Sequence, residues 1–305
     1  MRFKSIKNQK VMFFHNTMRP FTLCCTFILG ISPVCGQMES EVYLSDFESR
    51  HGVFEVSAPI NISRNPGYDN QPYFLGDDDL LYARTRNGQT DIARYSLSDQ
   101  KTVWLSDTPG GSEYSPVKIP GKEAVSSIRL DTTGLQRLYS YPLEGGPPEL
   151  LNADLKIGYH IWYSPELLVC TVLTEDRMDL VVVNLRDKSQ YTFQQGAGRS
   201  LHRIPDSEHI SYTAVEKGKV VVKSMHPISG ATEVIAVLPE GVQDMYWLDA
   251  SHLICGQGNE LISFNTRDKG PWKSFYALEN PKSKITRLAY NGPSGVLAMV
   301  IETQD

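Results

Sequence analysis

The sequence is poor in cysteine, and most of its cysteines lie near the N-terminus. Three of the five cysteines of the 305-residue chain fall within the first 36 residues, which leaves Cys170 and Cys255. Both lie in apolar stretches, where cysteine usually behaves as a small hydrophobic residue. One pair of cysteines does not make the framework of a small disulfide-rich domain. We therefore expect two buried thiols.

An excess of basic residues is also missing. The chain has 30 Lys and Arg against 35 Asp and Glu, and five of the 30 lie in the first 36 residues. The remainder therefore holds 25 basic and 35 acidic residues, a formal charge of about −10. Nucleic acids and anionic membranes attract proteins that carry positive patches. The composition argues against both as partners.

No apolar run is long enough to cross a bilayer as a helix. The longest one near the N-terminus, Phe21–Ile31, follows five basic residues and precedes small residues. This order predicts a secretory signal peptide over residues 1–36, with Met18 as an alternative start and cleavage after Gly36. A lipid-modified Cys35 is the less favoured alternative. We expect a periplasmic or secreted protein with no transmembrane segment after cleavage.

The common catalytic motifs are absent as well. Ser200 and His202 are close in sequence, but no Gly-x-Ser-x-Gly nucleophile turn accompanies them. The glycine-containing stretch at 196–200 lacks the Lys-Ser or Lys-Thr of a phosphate-binding loop. The sequence therefore carries no catalytic signature.

A repeat of about 42 residues dominates the rest of the chain. Six short strand-like segments each follow or contain a polar residue at a comparable place, with spacings of 44, 47, 42, 42 and 42 positions. These polar residues are Asp69, Glu113, His160, His202, Asp244 and Thr286. A period of 40 to 45 with strands alone is typical of a β-propeller with one four-stranded blade per repeat. The sequence predicts an all-β, six-bladed β-propeller that forms a single domain over residues 37–305.

The sixth repeat is incomplete at the C-terminus. After Ile285–Tyr290 and Val296–Ile301, two strands are missing. The N-terminal segments Glu41–Phe47 and Val53–Ser57 match a third and an outer strand. We expect the last blade to be closed by N-terminal and C-terminal strands together, which removes free sheet edges.

Several motifs resemble those of the TolB-like six-bladed propellers, which carry WD-like repeats. The resemblance spans about 41–302 and is strongest in Asn65-Pro-Gly-Tyr-Asp-Asn-Gln-Pro-Tyr-Phe, Gly-Asp-Asp-Asp-Leu-Leu-Tyr and Thr90-Asp-Ile-Ala-Arg-Tyr-Ser-Leu. The family's Ser-Pro-Asp-Gly turn is altered in every blade, and its separate N-terminal α/β domain has no counterpart. The resemblance implies the propeller fold and implies function only weakly, since propellers include binding proteins and enzymes.

If the six polar residues are equivalent, they converge at one mouth of the central channel. Two histidines and carboxylates could hold a divalent cation, and we name His160, His202 and Asp244 as its candidate ligands. They could instead contact a ligand or peptide, or simply be solvated.

Two classes of function remain. We favour a non-enzymatic module that binds a protein, a peptide or a small ligand through its axial funnel as a monomer without a cofactor. The alternative is a metal-dependent propeller hydrolase or lyase, gluconolactonase-like, with one divalent metal at the channel mouth.

Overall fold

The computed structural model describes residues 39–50 and 52–303, which form strands joined by turns and loops. The predicted signal peptide lies outside the described residues. The described part of the chain contains no helix long and apolar enough to cross a membrane.

Twenty-five strands follow one another along the described chain. They are β1 (Glu41–Arg50), β2 (Val53–Val56), β3 (Ile60–Asn61), β4 (Asn70–Phe74), β5 (Asp79–Arg86), β6 (Gln89–Ser96), β7 (Lys101–Trp104), β8 (Gly111–Lys118), β9 (Ala124–Asp131), β10 (Gln136–Pro142), β11 (Glu149–Asn152), β12 (Ile157–Trp162), β13 (Leu167–Leu173), β14 (Met178–Asn184), β15 (Gln190–Gln195), β16 (Ala197–Arg203), β17 (Ile210–Glu216), β18 (Lys219–Met225), β19 (Thr232–Val237), β20 (Tyr246–Trp247), β21 (His252–Gln257), β22 (Glu260–Asn265), β23 (Lys273–Ala277), β24 (Ser283–Asn291) and β25 (Val296–Thr303).

The strands form six antiparallel sheets, which are the blades of a six-bladed β-propeller. Blades 1 to 5 are β4–β7, β8–β11, β12–β15, β16–β19 and β20–β23, each in sequence order from the axis outward. The predicted fold class is confirmed. The hairpin turns contain residues with the positive φ that tight hairpins require, as at Asn87 and Gly88 between β5 and β6.

Blade 6 is closed by both ends of the chain, as the sequence predicts. Its order from the axis outward is β24, β25, β1 and β2, with the short β3 also pairing to β1. The two ends are joined by the β1–β25 ladder, which runs from Glu41 opposite Ile301 to Asp46 opposite Val296. This ladder replaces two unpaired strand edges with backbone hydrogen bonds.

The core is divided into six apolar clusters, and each cluster joins two neighbouring blades. The second strands are buried on both faces, and Leu80, Leu81, Tyr82 and Ala83 of β5 are all fully buried. Such runs suit a strand packed between two blades rather than an alternating half-exposed one.

Two buried tryptophans tie blades together through hydrogen bonds. The Nε1 of Trp162 donates to Oγ of Ser126 at 2.8 Å, and the Nε1 of Trp247 donates to Oγ of Ser211 at 2.8 Å. In both cases the indole lies on an inner strand and the serine on the second strand of the preceding blade. A buried indole N–H needs such a partner.

The two cysteines of the described chain are free and buried, as expected. Burial raises the pKa of the Cys170 thiol to about 12. A thiol of this kind stays protonated and unreactive near neutral pH.

The N-terminal strand brings an aromatic cluster into the blade 5–blade 6 interface. The Phe47 ring is 2% exposed and lies 5.0 Å from the Tyr290 ring and 5.7 Å from the Phe54 ring, measured between centroids. The Phe275 ring of β23 completes the cluster at 6.3 Å from Phe47. Blade closure therefore depends on side-chain packing as well as on the ladder.

We expect Phe47→Ala to lower the free energy of unfolding by about 3–5 kcal/mol, because it leaves a cavity at the closing interface. Val53→Ala is the control, since Val53 lies on the adjoining strand β2 and is 62% exposed. Urea unfolding of both variants measures the difference. Equal, small effects would contradict the role assigned to the aromatic cluster.

Candidate functional site

Equivalent positions in the blades can be assigned from a shared backbone hydrogen bond. In blades 1 to 5 the residue closing the first turn donates its N–H to a carbonyl at the start of the second strand, at 2.8–3.2 Å. These residues are Leu75, Ile119, Tyr163, Ile204 and Leu248. The position four residues earlier is therefore equivalent in all five blades.

We call the six residues at this position the inner ring: Gln71, Ser115, Tyr159, Ser200, Asp244 and Arg287. In blade 6, Arg287 pairs with the fifth residue of β25, as Tyr159 pairs with the fifth residue of β13. The inner ring is thus the set of side chains that the blades carry at one level of the channel.

All six inner-ring residues line a cavity of about 750 Å³, which we call the funnel. Its wall carries many aromatic, aliphatic and proline side chains beside Lys118, Ser164 and Arg203, among them Pro72, Tyr73, Pro116, Ile161, Tyr163, Pro205 and Tyr246. A second cavity of about 530 Å³ shares Gln71, Tyr159 and Arg199 with the funnel. The shared residues place the inner ring between the two cavities.

Two of the predicted ring residues are buried away from the funnel. The Asp69 side chain is fully buried, and its Oδ1 accepts hydrogen bonds from the Thr85 N–H and the Asn65 amide, both at 3.0 Å. Glu113 is also fully buried, and its Oε1 accepts from the Tyr141 hydroxyl at 2.9 Å. Neither carboxylate lines the funnel.

Glu113 lies in an unusual carboxyl pair between blades 1 and 2. The Ser106 hydroxyl is 3.3 Å from Oε2 of Glu113 and 3.1 Å from Oδ1 of Asp91. Burial, assisted by the nearby Asp91, raises the pKa of Glu113 to about 7. The pair is a structural contact between blades.

His160 lines the funnel, but its ring is held by the blade interface. Its Nε2 lies 2.7 Å from Oγ of Ser126, the hydroxyl that also accepts from the Trp162 indole. Burial lowers the pKa of His160 to about 3, so the imidazole is neutral near physiological pH. This histidine belongs to the packing of blades 2 and 3.

The structure does bring together His202, Asp244 and Arg287, the residue that follows the predicted Thr286. Nε2 of His202 is 3.8 Å from Oδ1 of Asp244, and Nε of Arg287 is 3.1 Å from Oδ2 of the same carboxylate. Arg199 approaches from the preceding blade, with its Nε 3.6 Å from Oδ2 of Asp244. Arg199 also donates to the Thr286 carbonyl at 3.1 Å.

The charges of this group depend on one another. Burial alone would raise the pKa of Asp244, but Arg287, His202 and Arg199 together hold it well below its usual range. Burial alone would lower the pKa of Arg287, but Asp244, Tyr159 and Tyr68 together outweigh that effect and raise it. The site therefore holds one carboxylate between two permanent cations.

Ser200, His202 and Asp244 match a catalytic triad in residue type but not in geometry. Oγ of Ser200 lies 3.1 Å from Nε2 of His202, the same nitrogen that faces Asp244. In a triad the serine and the carboxylate contact opposite nitrogens of the imidazole, so that one orients the ring while the other gives up a proton. Here they compete for one nitrogen.

The predicted metal ligands are not gathered into one donor set. His160 contacts Ser126, whereas His202 and Asp244 share their surroundings with two arginines. Within residues 39–50 and 52–303, no three His, Cys, Asp or Glu side chains are placed to hold a metal ion. Guanidinium groups beside the carboxylate repel a divalent cation.

The repeat pattern does not single out Gln71, Ser115, Tyr159 or Arg287, because bulges displace the register of the inner strands. Five inner strands contain a register shift next to the ring position, as between Asn70 and Tyr73 and between Ile285 and Arg287. Bulges re-aim side chains and are frequent beside functional sites. Gln71 and Ser115 both adopt left-handed φ, at 59° and 52°, and the Ser115 N–H donates to Oε1 of Gln71 at 2.7 Å.

Comparison with known proteins supports the fold class. No protein-family model matches the chain, and no curated protein is similar enough to count as a match. Among solved structures, the chain is similar to a TolB structure from Agrobacterium tumefaciens, with a TM-score of 0.66, 14% identity, and coverage of 88% of this chain and 100% of that one.

Two further structures have related folds. Oligogalacturonate lyase in complex with manganese gives a TM-score of 0.53 at 14% identity, covering 83% of each chain. A chain of a nidogen/laminin complex gives 0.57 at 12% identity, covering 78% of this chain and 93% of that one. The protein is a TolB-like six-bladed β-propeller in fold, and its neighbours include a named enzyme and a named protein complex.

We expect Glu113 to lower the free energy of unfolding by about 3 kcal/mol as pH rises from about 4.5 to about 7, and Glu113→Gln to remove this contribution. The folded-state pKa of Glu113 is about 7 against 4.5 for the free side chain, so its protonated form favours folding and ionisation opposes it. Urea unfolding at several pH values measures the slope. Glu123→Gln, which alters an exposed carboxylate of the same blade, should leave the slope unchanged. Identical slopes for wild type and Glu113→Gln would contradict the assignment.

We expect Asp244→Asn to lower the free energy of unfolding by about 3–5 kcal/mol, because it leaves the arginines with no carboxylate in a desolvated site. Asp244 and Arg287 have side chains only 8% and 12% exposed. Adding Arg287→Gln to this variant should restore part of the loss, since it removes an unpaired buried charge. Strictly additive effects in this double-mutant cycle would show that the two side chains do not interact.

Proposed function

We propose that the protein is an exported, non-enzymatic binding module that takes a peptide segment or a small ligand in its axial funnel. The observation that carries the proposal is the funnel itself. A cavity of about 750 Å³ with an apolar wall and a few converging polar groups has the size and composition of ligand sites in general.

The arrangement of the polar groups favours binding over catalysis. Ser200 and Asp244 meet the same nitrogen of His202, which leaves no second nitrogen engaged to orient the ring for proton transfer. The chemistry that remains at the inner ring is recognition by hydrogen bonds and charge.

The wall suits a chain with apolar side chains. Aromatic rings give large contact areas at a small cost in conformational entropy, and Tyr163 lies at the rim with the Arg203 guanidinium 5.7 Å from its ring centroid. Pro120, Pro165 and Pro205 lie in first turns beside the funnel, and the proline ring restricts the backbone of those turns by fixing φ. A preformed mouth reduces the free energy that binding must spend on ordering.

The alternative is a metal-dependent lyase or hydrolase, which the similarity to an oligogalacturonate lyase bound to manganese favours. The two arginines beside Asp244 weigh against it, because they occupy the surroundings that a cation would need. We therefore keep the binding module as the proposed function.

The test is equilibrium dialysis of the chain 37–305 against a mass-encoded library of N-acetylated hexapeptides, with retained peptides identified by mass spectrometry. We expect a related set of peptides to be retained, and Tyr163→Ala to weaken their binding by about tenfold through loss of a rim aromatic. Tyr191→Ala is the control, since Tyr191 lies on the outer strand β15 and is 45% exposed.

Two results would contradict the proposal. Retention that Tyr163→Ala and Tyr191→Ala affect equally would place binding outside the funnel. Cleavage of library peptides, or manganese-dependent cleavage of oligogalacturonate, would favour the enzyme instead.

A further inference from the structure

The base of the funnel carries more positive than negative charge. Arg199 and Arg287 both line the funnel, and Asp244 is the carboxylate that both of them face. The two guanidinium groups and the one carboxylate leave a net positive charge at the base of the funnel. A surplus cation in a partly desolvated site is costly unless an anion joins it.

The arginines have hydrogen-bonding capacity that their neighbours leave unused. Within the described residues, the buried Nε atoms of Arg199 and Arg287 both lack a hydrogen-bond partner of good geometry. A guanidinium presents five N–H donors in a planar fork. Arg287 has a side chain only 12% exposed and is not hydrated as a surface arginine would be. Both Nε atoms lie against Asp244, so the donors that match the two oxygens of a second carboxylate are the terminal N–H groups of these two funnel-lining arginines.

The two guanidinium groups are held in place from different blades. Arg199 is fixed by its bond to the Thr286 carbonyl across the channel, and Arg287 lies with its Cζ 5.5 Å from the centroid of the Tyr159 ring. Asp244 holds both from one side. Both residues also line the funnel, which is the direction from which a second carboxylate would approach them.

The wall above the ring decides which carboxylate fits. Next to the ring the funnel is lined by Ile161, Leu201, Leu288 and Tyr246 together with prolines. A peptide can place apolar side chains against this wall, and a sugar acid has none to place there.

We propose that Arg199 and Arg287 bind the free C-terminal carboxylate of a peptide whose last residues fill the funnel. This inference rests on the proposed function and adds the chemistry of the bound end. Capture of a terminal carboxylate by a cluster of N–H donors is a known mode of peptide recognition. The internal segment of a protein, which has no free carboxylate, would not satisfy the same donors.

The test uses the hexapeptide library in two forms, one with a free C-terminal acid and one with a C-terminal amide. We expect the acid forms of the retained peptides to bind about tenfold to hundredfold more tightly than the amides, as loss of a charged hydrogen-bonded pair implies. Arg199→Gln and Arg287→Gln should remove most of this difference. Arg199→Lys should keep only part of it, because an ammonium cannot bind both oxygens as a planar fork does.

Lys118→Gln is the matched control, since Lys118 lines the same funnel and the substitution removes the same charge. It should preserve the preference for the acid. Arg199→Gln leaves the Arg287–Asp244 pair in place, so a folded variant is available even if Arg287→Gln unfolds.

The outcomes separate the two proposals. If the acid and amide peptides bind equally well and Tyr163→Ala still weakens the binding of both, the carboxylate inference is wrong and the proposed binding module stands. An equal loss of preference in Lys118→Gln would also overturn it, because the effect would then be general electrostatics. If neither the acid nor the amide peptides are retained, but galacturonate binds and its binding needs the arginines, then the carboxylate does not come from a peptide. Retention of no hexapeptide and no galacturonate binding would remove the proposed peptide function itself.

Discussion

The packing of each blade against the next is the constraint on which the rest of the structure depends. Six apolar clusters fill six interfaces, and the ring is complete only because the N-terminal strands supply the outer half of the last blade. Once the interfaces are filled, the inner strands surround an axis along which two cavities lie. The channel is therefore a consequence of the packing, and its chemistry is set by the residues at the inner ring.

Charged side chains in and beside the inner ring are concentrated on one side of the channel. Blades 4, 5 and 6 supply His202, Asp244, Arg287 and Arg199, while blades 1 and 2 supply Gln71 and Ser115, which bond to each other. The neutral pair adopts left-handed backbone, a strained conformation for residues other than glycine. The ring thus combines a rigid neutral half with a charged half that has unused donors.

The sequence predicts the fold well because every blade packs against its neighbours in the same way, so each blade leaves one repeat in the sequence. The incomplete sixth repeat likewise corresponds to the blade that both ends of the chain share. The site was harder to predict. Asp244 occupies the inner-ring position, whereas Asp69 and Glu113 lie two positions before it and His202 lies two positions after it. Bulges in the inner strands shift the register by a residue or two, and these shifts leave no mark in a search for equivalent polar residues. Arg287 follows the predicted Thr286 directly, so a search that allowed for such a shift would have found it.

The account depends most directly on Asp244 being an ionised carboxylate held between two arginines. A carbon-13 NMR titration of the side-chain carboxyls, with the Asp244 signal identified from its loss in Asp244→Asn, measures its pKa in the folded protein. We predict that this signal stays in its ionised position throughout the acidic range in which the protein remains folded. A midpoint near the ordinary aspartate value of about 3.9 would contradict the charged inner ring and the ligand chemistry inferred from it.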